Sequence, residues 1–134
     1  MIKAKIASMH AASGVFSPAF GFSFEDLFDP AALDRLDGEV RRRLNAGDQF
    51  GMCYADLDHF KEFNDRYSYN DGDRVIRILG KILHDVVKGI CGAQGFVGHI
   101  GGDDFIYVLP TVEINEVSQE IISVFDTLIP FQYS

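Results

Sequence analysis

The tetrad Gly101-Gly102-Asp103-Asp104 separates the apolar runs Phe96–Ile100 and Phe105–Leu109, and no other stretch restricts the fold as strongly. Two short strand-like runs joined by a glycine-rich turn predict an antiparallel hairpin, because glycine supplies the positive φ that tight turns use. That hairpin carries two carboxylates at its tip. A second acidic cluster, Asp56-Leu57-Asp58, ends the alternating run Phe50, Met52, Tyr54, so one sheet holding all three strands brings carboxylates together from distant parts of the chain.

Carboxylates gathered at strand ends suit Mg²⁺, a hard cation held by one or two carboxylates together with substrate phosphates. A nucleoside triphosphate attacked at its α-phosphorus needs its charge neutralised and a 3′-hydroxyl activated, which such a cation can do. Asp56 and Asp103 are the expected side-chain ligands, with the Leu57 carbonyl as a third oxygen. Turn aspartates also occur simply to bond their own backbone; two clusters at strand ends exceed that need. Asp104 should face the opposite side of its strand and support a second ion or the first ligands. Gly101 and Gly102 permit close approach of backbone to ligand. Lys61 lies near the same strand end, as a phosphate partner or as an ordinary surface lysine.

The bulk properties set outer bounds. At 134 residues and 47% hydrophobic content, the chain can fill one ordinary core. Lys and Arg number 12 against 20 Asp and Glu, a net charge of -8, which argues against a broad phosphate-backbone footprint and so against nucleic acid as a partner. Cys53 and Cys91 lack metal or disulfide-scaffold spacing, and a reduced cytoplasmic setting is expected. His59 and His99 have no third His or Cys at ligand spacing, so zinc is not expected. No run reaches membrane-spanning length, and no membrane contact is expected from this segment.

Along the chain, Phe16, Phe20, Phe22, Phe24 and Phe28 follow no clean period and predict an irregular segment that covers a core edge or a partner. Residues 1–28 are therefore read as a divergent aromatic-rich segment and 29–134 as the folded domain. Asp29-Pro30 should open a helix carrying Leu33, Leu36, Val40 and Leu44, closed by Asn45-Ala46-Gly47. Phe60, Phe63 and Tyr67 fit a short helix, Asn70-Asp71-Gly72 a break, and Val75 to Val86 an amphipathic helix to about Lys88 with Gly89 as its stop. Ile114 to Leu128 marks a last helix. The order is helix, strand, two helices, two strands, helix, which predicts an α+β sandwich with helices on one sheet face.

Four ordered motifs, Asp56-Leu57-Asp58-His59-Phe60-Lys61, Asn64-Asp65, Asp71-Gly72-Asp73 and Gly101-Gly102-Asp103-Asp104-Phe105, closely resemble the GGDEF domain of diguanylate cyclases, over about Asp34 to Leu128. The resemblance implies a ferredoxin-like, palm-type fold with an antiparallel-rich central sheet. It implies condensation of two GTP into cyclic di-GMP at the interface of a homodimer, with Mg²⁺ or Mn²⁺ as cofactor. By position, Asp56, Leu57 and Asp103 match the metal ligands, Asp103 also matches the group that assists deprotonation of the 3′-hydroxyl, and Asn64 and Asp73 match the guanine-binding pair. Lys61 and Asp104 match charged positions of the active centre. Family habit adds upstream sensory domains.

Departures accompany the match. Asp104 stands for the usual Glu, and the family's inhibitory Arg-x-x-Asp falls on Gly92 and Gly95, so that site is expected to be absent. His99 stands where a basic residue frequently precedes the turn. The opening phosphate-pocket signature has no counterpart between Phe16 and Leu36. Family domains continue through a further strand and a helix that supplies Lys and Arg to the triphosphate, whereas this chain stops at Ser134. The strand ending at Asp56 is then expected to be an exposed sheet edge, a liability for aggregation or strand exchange. A catalytically inactive GTP-binding or protein-interaction module is the alternative reading.

Overall fold

The computed structural model describes residues 3–10, 28–29 and 31–132. In chain order these form β1 (Lys3–His10), α1 (Ala32–Ala46), β2 (Phe50–Asp58), α2 (Phe60–Arg66), α3 (Tyr69–Cys91), β3 (Phe96–Gly101), β4 (Asp104–Pro110) and α4 (Ile114–Gln132). The sheet has four strands in the order β1-β2-β4-β3, and each neighbouring pair is antiparallel. The α+β architecture with helices packed on an antiparallel sheet agrees with the expected fold class.

The edge beside β2 is not exposed. β1 lies along it in a continuous register from Lys3 opposite Asp58 to His10 opposite Gly51. Alternation of Lys3, Ala4, Lys5 and Ile6 is the physical cause: Ala4 turns into the core and Ile6 packs against it, while the lysines face outward. Part of the amino-terminal segment thus belongs to the same sheet as the hairpin. Of the phenylalanine-rich stretch, Phe16, Phe20, Phe22 and Phe24 lie outside the described residues. Phe28 packs over the ring of His99, with centroids 5.0 Å apart, and edge-on to Phe105.

Helices cover both sheet faces rather than one. Cys53, Ala55, Leu57, Val97, Phe105, Tyr107 and Leu109 alternate onto the face buried by α3 and α4. Phe50, Phe96 and Val108 alternate onto the opposite face, where Leu36 of α1 joins them. Gly98 admits that contact, because a Cβ there would stand 3.1 Å from Leu36 Cδ2. The helix α1 is anchored by a buried ion pair: Arg43 Nε donates to Glu39 Oε1 at 2.7 Å, and a second guanidinium nitrogen donates to the Gln94 carbonyl at 2.8 Å. That link ties α1 to the turn leading into β3.

Several boundaries shift. Asn70-Asp71-Gly72 is the first turn of α3, not a break, because Ser68 caps it: its hydroxyl accepts from the Asp71 amide at 3.0 Å and donates to the Asp71 carboxylate. Gly89 is interior to α3; the helix ends at Gly92, whose positive φ of 59° favours glycine. Gly47, with φ of 71°, closes α1 as expected.

Candidate functional site

The β3–β4 turn stands beside the end of β2. The last paired residues of the β2–β4 ladder are Ala55 and Phe105, and beyond them a side chain takes over. Asp103 Oδ2 accepts the Leu57 N–H at 2.9 Å. In an extended strand the N–H and C=O of one residue face the same neighbour, so the Leu57 carbonyl also turns toward the acidic turn. Asp56 shares a sheet face with Tyr54, and the pairing of Tyr54 with Ile106 places Asp104 on that face too. Asp104 therefore lies on the Asp56 side of the sheet. Interaction with the Asp104 carboxylate, with burial and the nearby negative charge of Asp56 and Asp103, pushes the Tyr54 phenol up to about 12.

The cluster is electrostatically frustrated. Partial burial raises the Asp56 carboxyl above its ordinary range, and Asp103, Asp104 and Asp58 push in the same direction, while Lys5 opposes them. Concentrated negative charge around two carboxylates and a backbone oxygen is a donor set of the kind Mg²⁺ or Mn²⁺ accepts. Among the described residues, no three His, Cys, Asp or Glu side chains converge as a metal-ligating group. A cation at this end of the sheet would therefore rely on the Leu57 carbonyl beside Asp56 and Asp103.

The remaining expected residues divide. Asn64, on α2, is half-buried, and its Oδ1 is buried with no hydrogen-bond partner among the described residues. It lies against Gly72 so closely that a Cβ there would overlap Asn64 Oδ1. Glycine inside α3 thus makes room for the amide. Asp73, the residue after Gly72, is exposed and pairs with Arg77 Nε at 3.3 Å. Lys61 is exposed in the first turn of α2. Gly101 and Gly102 are exposed, and a Cβ on either would meet nothing within 4 Å, so the turn is open to an approaching group. His99 Nε2 bonds the Gly102 carbonyl at 2.9 Å and holds the turn from behind.

Two residues of this neighbourhood escaped the sequence reading. The alternation of Tyr54 places it in a strand, and nothing in its spacing shows that it shares a face with Asp104. Lys5 stands opposite Asp56 across the β1–β2 pair; the alternation of Lys3-Ala4-Lys5-Ile6 was the available signal. Between Asp58 and α2, His59 adopts φ of 61°, a left-handed conformation costly for a residue with a Cβ, and so turns the chain sharply away from the acidic cluster. Gly95 sits against Val87, where a Cβ would overlap Cγ1, so packing leaves no room for a carboxylate at that position.

Comparison with known proteins agrees with this geometry. The family model described as "Diguanylate cyclase, GGDEF domain" matches residues 31–130. Diguanylate cyclase DgcP of Pseudomonas aeruginosa is 31% identical over 84 residues, which cover 63% of this chain and 12% of that protein. Diguanylate cyclase VdcA of Vibrio cholerae is 32% identical over 75 residues, 56% of this chain and 21% of that protein. The match thus spans about a fifth or less of those relatives. The crystal structure of the GGDEF domain of DgcB from Caulobacter crescentus, in complex with c-di-GMP, superposes with a TM-score of 0.57 at 28% identity, covering 68% of this chain and 53% of that one. Diguanylate cyclase SiaD of Pseudomonas aeruginosa, solved with its activator SiaC, shares the fold at 23% identity and the same TM-score of 0.57, over 72% of this chain and 41% of that one. With the hairpin, its acidic turn and the facing Asp56-Leu57-Asp58 strand end all in place, the chain belongs to the GGDEF family.

Proposed function

We propose that this chain is a diguanylate cyclase-type domain that binds GTP with a divalent cation and, as one half of a homodimer, takes part in condensing two GTP into cyclic di-GMP. The observation that carries the reading is the bond from the Leu57 amide to Asp103, because it fixes the acidic turn against the strand end bearing Asp56. Asp56, Asp103 and the Leu57 carbonyl would hold Mg²⁺, which when bound neutralises the triphosphate and makes its α-phosphorus more electrophilic.

The chain's own groups supply the rest. With Oδ2 fixed by the Leu57 amide, Asp103 has its other oxygen directed by that bond and would either help hold the cation or accept the proton of an attacking 3′-hydroxyl. Asp104, on the sheet face of Tyr54 and Asp56, keeps negative charge beside it. Asn64, whose buried oxygen has no partner among the described residues, reads the guanine edge, and Asp73 accepts from guanine donors after exchanging its Arg77 partner. Open backbone at Gly101 and Gly102 admits the phosphates, and Lys61 approaches from α2. Each domain carries one nucleotide, so two must face each other to align the 3′-hydroxyl of one with the α-phosphorus of the other.

The test is cyclic di-GMP formation from GTP and Mg²⁺, measured by chromatography across protein concentrations with Asp103→Asn as control. Product rising more steeply than linearly with protein and lost in the variant supports the cyclase. Mg²⁺-dependent GTP binding without product, in folded and dimeric protein, would favour a GTP-binding regulatory module instead.

A further inference from the structure

Lys5 is directly opposite Asp56 in the β1–β2 ladder, and Lys3 is opposite Asp58. Opposed residues of an antiparallel pair project to the same face, so both lysines stand on the face of Asp56, Tyr54 and Asp104, while Ala4 between them is buried in the core. The Lys5 ammonium lies 3.7 Å from Asp58 Oδ1, with both side chains well exposed. An exposed pair at that distance is loosely held, and the flexible stem of lysine lets its charge move to a stronger anion nearby.

The surroundings make such a cation necessary. Asp56, Asp58, Asp103 and Asp104 gather at this corner of a chain whose net charge is -8, and one divalent ion does not offset a triphosphate together with those carboxylates. Among the described residues, Lys5 is the positive charge that acts most strongly on Asp56.

We propose that Lys5, delivered by the amino-terminal edge strand, is a substrate-binding residue that contacts the triphosphate of the metal-bound nucleotide at the Asp56–Asp103 strand end. The proposal rests on the nucleotide reading above. In this chain β1 therefore has two roles: it covers the β2 edge, and it places an ammonium beside the acidic cluster. A simple counter-ion role for Lys5 would be matched by the charge-equivalent Lys3→Gln, because it depends on net charge and not on a specific phosphate contact.

The experiment is calorimetric titration of the full chain with Mg-GTP, Mg-GMP and Mn²⁺ alone, for the wild type, Lys5→Gln, Lys5→Arg and the charge-matched Lys3→Gln, with thermal melts to compare folding. Loss of one charge-assisted phosphate contact should weaken Mg-GTP binding about tenfold in Lys5→Gln. Mg-GMP should lose less, Lys5→Arg should recover most of the affinity, and Mn²⁺ alone should bind Lys5→Gln more tightly. Mg-GTP affinity unchanged in Lys5→Gln, or reduced equally in Lys3→Gln, overturns the role of Lys5 and leaves the nucleotide reading standing. A wild type that binds no Mg-GTP overturns both.

Discussion

The Leu57 amide donates to Asp103 Oδ2 at 2.9 Å, joining residues 46 positions apart at the point where the β2–β4 backbone ladder stops. A side chain thus replaces a backbone bond, and the same carboxylate is the expected cation ligand. Asp103→Asn keeps an acceptor for the amide while removing the charge. It should fold like the wild type and lose turnover and Mg²⁺-dependent GTP binding. Asp103→Ala also leaves the amide without its partner and should cost a further ~1 kcal/mol in urea unfolding.

The raised carboxyl of Asp56 has a pH consequence with a definite sign. Burial, reinforced by the neighbouring aspartates, makes the folded protein hold this proton more tightly than the unfolded chain does. Between the ordinary aspartate pKa and the raised one, the native state binds more protons, so this group lowers stability as pH rises through that window. Asp56→Asn should raise the melting temperature of the metal-free protein at neutral pH, and the gain should disappear below the ordinary aspartate pKa. Mg²⁺ should raise the melting temperature of the wild type and not of the variant. Equal melting of the two proteins at neutral pH would contradict the crowding of charge at this strand end.

Gly72→Ala should disturb the site from within a helix. Its new Cβ would overlap Asn64 Oδ1, forcing the amide from its buried position. Overpacking of this kind costs about 1–3 kcal/mol, so the usual gain from replacing a helical glycine by alanine should be reversed. Guanine nucleotide affinity should fall with stability, while Gly89→Ala, where a Cβ meets nothing within 4 Å, should be neutral or stabilising. Unfolding curves of the two variants provide the comparison.

Arg43 is fully buried between Glu39 and the Gln94 carbonyl. Arg43→Met fills part of the volume but leaves Glu39 buried with one cation fewer, and should cost about 3 kcal/mol. Replacing the pair together, by Glu39→Met with Arg43→Met, should recover much of that loss. A chemical-denaturation double-mutant cycle measures the coupling.

The cysteines should be silent in the folded protein. Burial pushes the Cys91 thiol up to about 12, assisted by Glu113, and burial also raises Cys53. At pH 8 neither should supply thiolate at a useful rate. A colorimetric thiol reagent should label both only as denaturant unfolds the chain; rapid labelling of the native protein would contradict the packing of α3 and β2.

Much of the fold was legible because its elements announce themselves locally. The alternation of Phe50 to Tyr54, the glycine turn at Gly101-Gly102 and the helical spacing of Val75 to Val86 or Ile114 to Leu128 each follow from the period of one element. Boundaries failed where one side chain decided them: Ser68 capping through Asp71 converts an apparent break at Asn70-Asp71-Gly72 into the first turn of α3.

The sequence by itself determined the acidic hairpin, the facing Asp56-Leu57-Asp58 cluster and the motif order that marks the family, because these depend on residue type and short spacing. Only the tertiary structure decided that β1 covers the β2 edge, that α1 lies on the face opposite α3 and α4, and that Asp104 shares a sheet face with Asp56 and Tyr54. Those outcomes depend on which strand pairs with which and in what register. A shift of one residue would send Lys5 to the core face and Ala4 to the acidic one, and burial of the apolar set against α3 and α4 is what selects the register observed.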